Sequence, residues 1–221
     1  MKPWEIIARA RTPDGTELAL ARHPSEFVLL AGGESLMTSR VHQTEDALGT
    51  LGCRLVRERP HPVVLIGGLG MGFTLRAALD TLPADARVVV AELVPEVVAW
   101  NRGPLGPLAG LPLDDPRVTV EVADVAAVLR ACPGGFDAVL LDVDNGPVAF
   151  TAAPNAWLYG PAGVAVTRAA LRPGGVVGVW STEDDRPYAR RLRQAGFHVE
   201  IERVKRRRTR GGHRDTILLA R

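Results

Sequence analysis

The chain has 221 residues, 46% of them hydrophobic, and a formal net charge of +2. That is enough apolar material for one good core and a small appended unit, and the near-neutral charge singles out no partner through its global field. Its two cysteines, Cys53 and Cys132, lack metal-like spacing and argue against both a metal centre and a disulfide framework. No run is long enough to span a membrane, and Glu5, Arg9 and Arg11 interrupt any secretory apolar core. The expectation is a soluble, cytoplasmic protein of a reducing compartment, without a metal.

The first segment, residues 4–11, is β-prone and partly alternating. Pro13-Asp14-Gly15 is a turn, residues 17–22 alternate again, and residues 26–31 return as a third strand that Gly32-Gly33 breaks. This predicts a small antiparallel β unit over residues 1–37, too small to hold much core alone. A helix is expected over residues 38–51, capped by Thr38 or Ser39, with Val41, Ala47, Leu48 and Leu51 as its apolar stripe. His42, Gln43, Glu45 and Asp46 lie on it. They form either a solvated face or an edge overlooking a ligand.

The most informative stretch follows. Residues 63–66 are a short apolar run, then come Gly67, Gly68, Gly70 and Gly72, then helical spacing from Met71 to Leu82, then a second apolar run, 88–91, ending on Glu92. Strand, glycine turn, helix, strand and acid in this register form a nucleoside-binding pattern. Glycines accept positive φ and admit a ligand close to the backbone. The helix N-terminus offers free N–H groups, and an acid at the tip of the second strand can bond both hydroxyls of a ribose. The alternative is a βαβ unit whose glycines serve tight packing only.

Beyond Glu92, Pro95 opens a helix. A Gly/Pro-rich loop spans 103–116, strands are expected over 117–122 and 136–141, and a helix starts at Val125. A loop to about Gly160 precedes another helix. Arg172-Pro173-Gly174-Gly175 turns into a strand over 176–180, a helix runs over 185–195, and strands over 197–204 and 216–220 close the chain. Alternating strands and helices predict an α/β, Rossmann-like, doubly wound and mostly parallel seven-stranded sheet over residues 38–221. Its last strand is antiparallel, since no helix separates the final two. Their hairpin carries the basic run 205–214, in which no aromatic residues interleave. It is expected to be a solvated face rather than a nucleic-acid site.

Open α/β sheets bind ligands outside the carboxyl ends of their strands. Glu92, Asp124 and Asp142 all fall there, with Leu93 and Val125 beside the first two. Glu92 suits a ribose, Asp124 an adenine amino group, and Asp142 with Asp144 a reacting group. Each could instead be a helix cap, Asp124 most of all because a helix starts directly after it.

On these residues the chain resembles the spermidine/spermine synthase family, within the class I S-adenosylmethionine-dependent methyltransferase fold. Val41-His42-Gln43 lies where that family has Tyr-His-Glu, and LIGGLGMG resembles its Leu-Ile-Gly-Gly-Gly-Asp-Gly-Gly turn. DPRVTVEVADV resembles the segment carrying its adenine-side acid, which falls on Asp124. LLDVDNGP resembles its Asp-x-x-Asp-Pro motif, which places the catalytic acid on Asp142. The resemblance implies a co-substrate held by Gly67, Gly68, Gly70, Gly72, Glu92, Leu93, Asp124 and Val125. That co-substrate is S-adenosylmethionine or its decarboxylated form, with no metal. Asp142, Asp144 and Tyr159 would be catalytic, and His42, Gln43 and Asn145 would face a small-molecule amine substrate. A homodimer is expected. Two departures stand out: Gly70 replaces an acid of the turn, and Asn145 replaces the second acid of the later motif.

The implied chemistry is amine alkylation by an adenosyl sulfonium donor, with Asp142 taking the amine's proton. Two other readings remain: a small-molecule methyltransferase using intact S-adenosylmethionine, and a nucleoside-binding member without chemistry.

Overall fold

The computed structural model describes residues 3–24, 26–143, 156–182, 184–205 and 214–221. Four strands, β1 (Glu5–Arg11), β2 (Glu17–His23), β3 (Glu26–Ala31) and β4 (Glu34–Thr38), form an antiparallel sheet in sequential order. The fourth strand was not expected. Gly32 and Gly33 have φ of +57° and +88°, the left-handed pair that a two-residue hairpin needs, so they turn the chain back instead of ending the sheet. Leu18, Leu20 and Leu29 of this sheet are buried in the same apolar cluster as Leu48, Val64 and Leu140. The small sheet therefore shares a core with the larger one.

Helix α1 (Gln43–Arg54) starts later than its sequence suggests. Its cap position is His42, whose side chain makes no capping bond, while the Ser39 hydroxyl accepts the Phe27 N–H at 2.9 Å. Ser39 thus serves β3 rather than the helix. The buried side of α1 runs through Thr44, Leu48, Gly49, Gly52 and Cys53.

The large sheet contains β5 (Val63–Gly67), β6 (Arg87–Glu92), β7 (Val118–Val122), β8 (Phe136–Leu141), β9 (Leu171–Ser181), β10 (Val199–Lys205) and β11 (Arg214–Ala220). Its order is β10-β11-β9-β8-β5-β6-β7, with β11 antiparallel to both neighbours and the other pairs parallel. Helices α2 (Phe73–Thr81), α3 (Pro95–Arg102), α4 (Val125–Ala131), α5 (Ala156–Tyr159), α6 (Pro161–Ala170) and α7 (Arg186–Gln194) connect them. The central strands β5 and β8 are continuous Val/Leu/Ile-rich runs because helices cover both their faces. At the edge, β7 leaves Val122 54% exposed.

Arg172-Pro173-Gly174-Gly175 is not a turn before β9 but a bulge within it. The pairing with β8 shifts register between Phe136 and Ala138, and Gly174 takes a φ of +69°. There Asp137, buried near the start of β8, receives Arg59 Nη1 at 2.8 Å, Arg172 Nη1 at 2.7 Å and the Val63 N–H at 2.8 Å. Arg59 also donates to the carbonyls of Pro173 and Gly174.

The consequence for function lies at the opposite end of the strands. From β5 the chain winds outward one way through β6 and β7, and the other way through β8 and β9. The carboxyl ends of β5 and β8 therefore flank the point where the winding reverses, the usual position of a ligand crevice.

Candidate active site

The turn after β5 is tied to both neighbouring strand ends. Gly68 N donates to Ala91 O and Asp142 N donates to Gly67 O, each at 2.9 Å. Gly68, Gly70 and Gly72 have φ of +88°, +53° and +83°, a left-handed region costly for most side chains. A methyl on Gly68 would lie 2.3 Å from the carbonyl oxygen of Asp142. The need for glycine at this position is therefore packing between two strand ends. Gly67 is closed in the same way by Val125, which is buried. Over Gly70 sits Met37 of β4, its sulfur 2.9 Å from where a Cβ would be.

Glu92 ends β6 and is buried. Its Oε2 accepts the Leu69 N–H and its Oε1 the Val94 N–H, both at 2.9 Å, so the carboxylate anchors the glycine turn as well as the start of α3. Leu93 beside it is 43% exposed. Asp124 is exposed and caps α4, accepting the Ala126 N–H at 2.8 Å. The capping alternative is therefore realised for Asp124, though a carboxylate has acceptor capacity to spare.

Asp142 follows β8 and turns its carboxyl inward, where the buried Thr74 hydroxyl donates to Oδ2 at 2.6 Å. Burial pushes this carboxyl up to about 7, the Glu45 carboxylate adds to the rise, and the Thr74 bond opposes it. Burial likewise raises Glu45, against its bond from the Thr44 hydroxyl at 2.6 Å. His42 stacks on Phe73 with ring centroids 4.0 Å apart. Its Nδ1 lies 2.9 Å from Asp46 Oδ2, and Gln43 Oε1 is a buried atom without a hydrogen-bond partner. Tyr159 is buried edge-on against Tyr188, and its hydroxyl donates to the Val143 carbonyl at 3.4 Å.

The structure thus brings Gly67, Gly68, Gly70, Gly72, Glu92 and Asp142 together at the adjoining carboxyl ends of β5, β6 and β8, with Asp142 bonded to Thr74 of α2 and His42 stacked on Phe73 of the same helix. Asp144 and Asn145 lie outside the described residues, as do residues 206–213 of the basic hairpin. Two contributors, Thr74 and Asn101, have no sequence signal of their own beyond that of helix residues, and Glu45 is not told apart from its polar neighbours on α1. Asn101, buried on α3, donates to the Gly70 and Val97 carbonyls at 2.8 and 2.9 Å. Among the described residues no cluster of His, Cys, Asp or Glu could hold a metal, and no helix is long and apolar enough to cross a membrane.

The chain is 35% identical over 143 residues to polyamine aminopropyltransferase 2 of Pseudomonas aeruginosa, covering 61% of this chain and 38% of that protein. It is 34% identical over 119 residues to putrescine N-methyltransferase 1 of Nicotiana tabacum, covering 53% of this chain and 30% of that protein. Among solved structures, spermidine synthase from Thermotoga maritima superposes with a TM-score of 0.76 at 20% identity, covering 97% of this chain and 72% of that one. The matched segment thus spans little more than a third of the first relative's length and less than a third of the second's. No family model matches the chain.

Proposed function

We propose that the chain is a member of the spermidine synthase family, on a class I methyltransferase-like fold, and a transferase that alkylates a small amine with an adenosyl sulfonium donor. The observation that carries the reading is Asp142, an inward-turned carboxyl at the carboxyl end of β8, raised to about 7 and set beside the glycine turn that Glu92 anchors. A base poised there is deprotonated over the upper half of the neutral range and can take a proton from an ammonium.

The described residues suit such a donor. Glu92 keeps acceptor capacity for ribose hydroxyls beyond its two N–H bonds, Leu93 presents an exposed apolar surface beside it for a base, and Asp124 stands at the next strand tip. Val125 is supported by its position after Asp124 alone. When bound, the donor supplies a carbon made electrophilic by its sulfonium. Asp142 accepts the amine's proton. The nitrogen lone pair forms the new N–C bond as the C–S bond breaks, with that pair left on sulfur as a neutral thioether. Tyr159 steadies Asp142 from behind through the Val143 carbonyl. His42 at the cap of α1 and Gln43 at its first position, whose Oε1 is buried without a hydrogen-bond partner, would face the acceptor.

Methyl transfer from intact S-adenosylmethionine is the second reading, favoured by one feature. The turn has no acid at Gly70, and the thioether of Met37 covers that position. The relatives include proteins named for each kind of transfer. The division into a β unit over 1–37 and a larger unit over 38–221 belongs to the same reading, supported by the four-stranded sheet that ends at Thr38. So does a homodimer, supported by Trp4 and Ile6, 48% and 46% exposed on or just before the edge strand β1. A cytoplasmic location and the absence of a metal and a nucleic-acid partner complete it.

The test is incubation with putrescine and each donor in turn, with mass detection of the alkylated amine and of the thioether product. Asp142→Asn should lower turnover by about 10²–10⁴-fold while methylthioadenosine still binds. Donor binding without alkylation of any short aliphatic amine would sink the proposal.

A further inference from the structure

A threonine inside a helix commonly turns its hydroxyl back to the carbonyl four residues earlier. Thr81 and Thr167 do so, donating to Ala77 and Gly163. Thr74, in the first turn of α2, does not. The carbonyl four residues before it, that of Gly70, accepts from Asn101 instead, and the Thr74 hydroxyl donates to Asp142 Oδ2 at 2.6 Å. A second acceptor stands within its reach, the main-chain carbonyl of Glu45 on α1, at 3.4 Å. The close approach of the two helices brings that carbonyl there. A methyl on Gly49, one turn further along α1, would sit 2.5 Å from the Thr74 carbonyl oxygen, so only glycine lets the backbones meet. Thr74 is 2% exposed. Its single hydroxyl proton therefore has a choice between two protein acceptors, a short contact to a carboxylate and a long one to a neutral carbonyl.

We propose that Thr74 is a positioning residue for the transfer: its hydroxyl holds Asp142 Oδ2 while that carboxylate is ionised, and turns to the Glu45 carbonyl once Asp142 has taken the amine's proton. This deepens the transferase reading above and rests on it. The bond to an ionised carboxylate is charge-assisted and outcompetes a neutral carbonyl. It fixes Oδ2 inward and leaves Oδ1 for the acceptor. The ammonium's proton then moves to Oδ1, the freed lone pair makes the N–C bond as the C–S bond breaks, and the C–S pair stays on sulfur. The neutral carboxyl is the weaker acceptor, and rotation about one C–O bond brings the hydroxyl proton to the Glu45 carbonyl. Neither charge state of Asp142 leaves the buried hydroxyl unsatisfied. The charged group acting on Asp142 from α1 is Glu45, on which His42 and Asp46 of the same helix act in turn. From α2 comes the Thr74 hydroxyl, from the turn after β5 the backbone of Gly67 and Gly68, and from α5 the Tyr159 hydroxyl, which ends on the Val143 carbonyl.

Removing the hydroxyl takes away a bond that the ionised form holds more strongly than the neutral one, so the Asp142 titration midpoint should rise. The acid limb of the rate profile should move to higher pH with it, because Asp142 must be ionised to act. The experiment follows the Asp142 carboxyl carbon and the Glu45 main-chain carbonyl carbon by NMR across pH in wild type, Thr74→Val, Thr74→Ala and Thr74→Ser, the Asp142 resonance being assigned with Asp142→Asn. Alanine covers the case in which valine crowds the contact with α1. Methylthioadenosine affinity, which reports an intact fold and donor site, and the pH dependence of putrescine alkylation are measured on the same samples. The expected result is a midpoint higher by about one pH unit or more in Thr74→Val and Thr74→Ala, a wild-type midpoint in Thr74→Ser, and unchanged methylthioadenosine affinity throughout. The Glu45 carbonyl shift should titrate with Asp142 in wild type and Thr74→Ser and stay flat in the other two. A midpoint unmoved by loss of the hydroxyl, or moved equally in Thr74→Ser, overturns the proposal, and so does a wild-type Glu45 carbonyl that does not follow Asp142. The full pattern in protein that alkylates no amine supports the turning hydroxyl and overturns the transferase reading instead.

Discussion

Glu92 carries two demands on one carboxylate. Its oxygens hold the Leu69 and Val94 N–H groups, and each retains acceptor capacity that a ribose hydroxyl could use. Glu92→Ala should therefore fail twice. Two backbone donors lose their partner, at about 1–3 kcal/mol for each left unsatisfied, and the ribose contact proposed for Glu92 goes with them. The expected outcome is a lower unfolding temperature by calorimetry and a drop of more than tenfold in methylthioadenosine affinity by titration. Glu92→Gln keeps one acceptor and should recover part of the stability, but little of the affinity. Unchanged affinity in Glu92→Ala would remove this residue from the site. The sequence places Glu92 correctly at a strand tip, yet says nothing of its bonds to the turn. The same is true of Gly68, whose reason for being glycine is a carbonyl 74 residues away in sequence, that of Asp142. Residue types and spacing reveal which side chains arrive at a crevice. Contacts between distant strand ends decide what each must tolerate there.

Single elements show where periodicity suffices and where it does not. Strands β5 and β8 and helix α3 are legible because each carries an uninterrupted pattern and a clear boundary residue, Gly67, Pro133-Gly134-Gly135 and Pro95 respectively. Strand β4 and the start of α1 are not. A glycine pair reads equally as a break or a hairpin, and Thr38 and Ser39 are good caps that β3 and β4 claim first. The bulge at Pro173 and Gly174 is another such case, since its stability comes from Arg59 far upstream. That clamp gives an element-level prediction. Asp137→Ala leaves Arg59 and Arg172 side by side without their acid and the Val63 N–H without its acceptor, and since both arginines are partly solvated the loss should be about 1–3 kcal/mol. Denaturant unfolding should register a loss of that size, while the folded protein binds methylthioadenosine as wild type does, because Asp137 lies at the opposite end of β8 from the crevice. A loss below about 1 kcal/mol would mean that the two arginines find adequate solvation without it.

At the scale of the whole molecule, a mostly parallel seven-stranded sheet and its antiparallel last strand follow from alternation and from the missing helix between the final strands, whereas the order of the strands comes from the structure. The joining of the two sheets does not follow from alternation either, because it comes from Leu18, Leu20 and Leu29 sharing a core with Leu48, Val64 and Leu140 and from Met37 reaching over Gly70. The Met37 contact bears on the choice of donor. A decarboxylated donor brings an ammonium and no carboxylate, so an acid at the turn would favour it. Intact S-adenosylmethionine brings both groups, and a turn without an acid leaves backbone N–H groups that favour its carboxylate. With glycine at position 70 under an uncharged thioether, the two donors should bind with comparable affinity. Gly70→Asp tests this and is structurally feasible. Its φ of +53° is one that aspartate tolerates better than most residues, and the atoms in its way are the flexible end of Met37. Side-by-side titrations of both donors should show little preference in wild type and a clear shift toward the decarboxylated donor in Gly70→Asp. Met37→Ala, which clears the space without adding charge, should leave the preference where it was. If wild type already binds only the decarboxylated donor and makes spermidine from putrescine, then Asp142 and its neighbours supply enough negative charge by themselves, and the acid at the turn is dispensable for aminopropyl transfer.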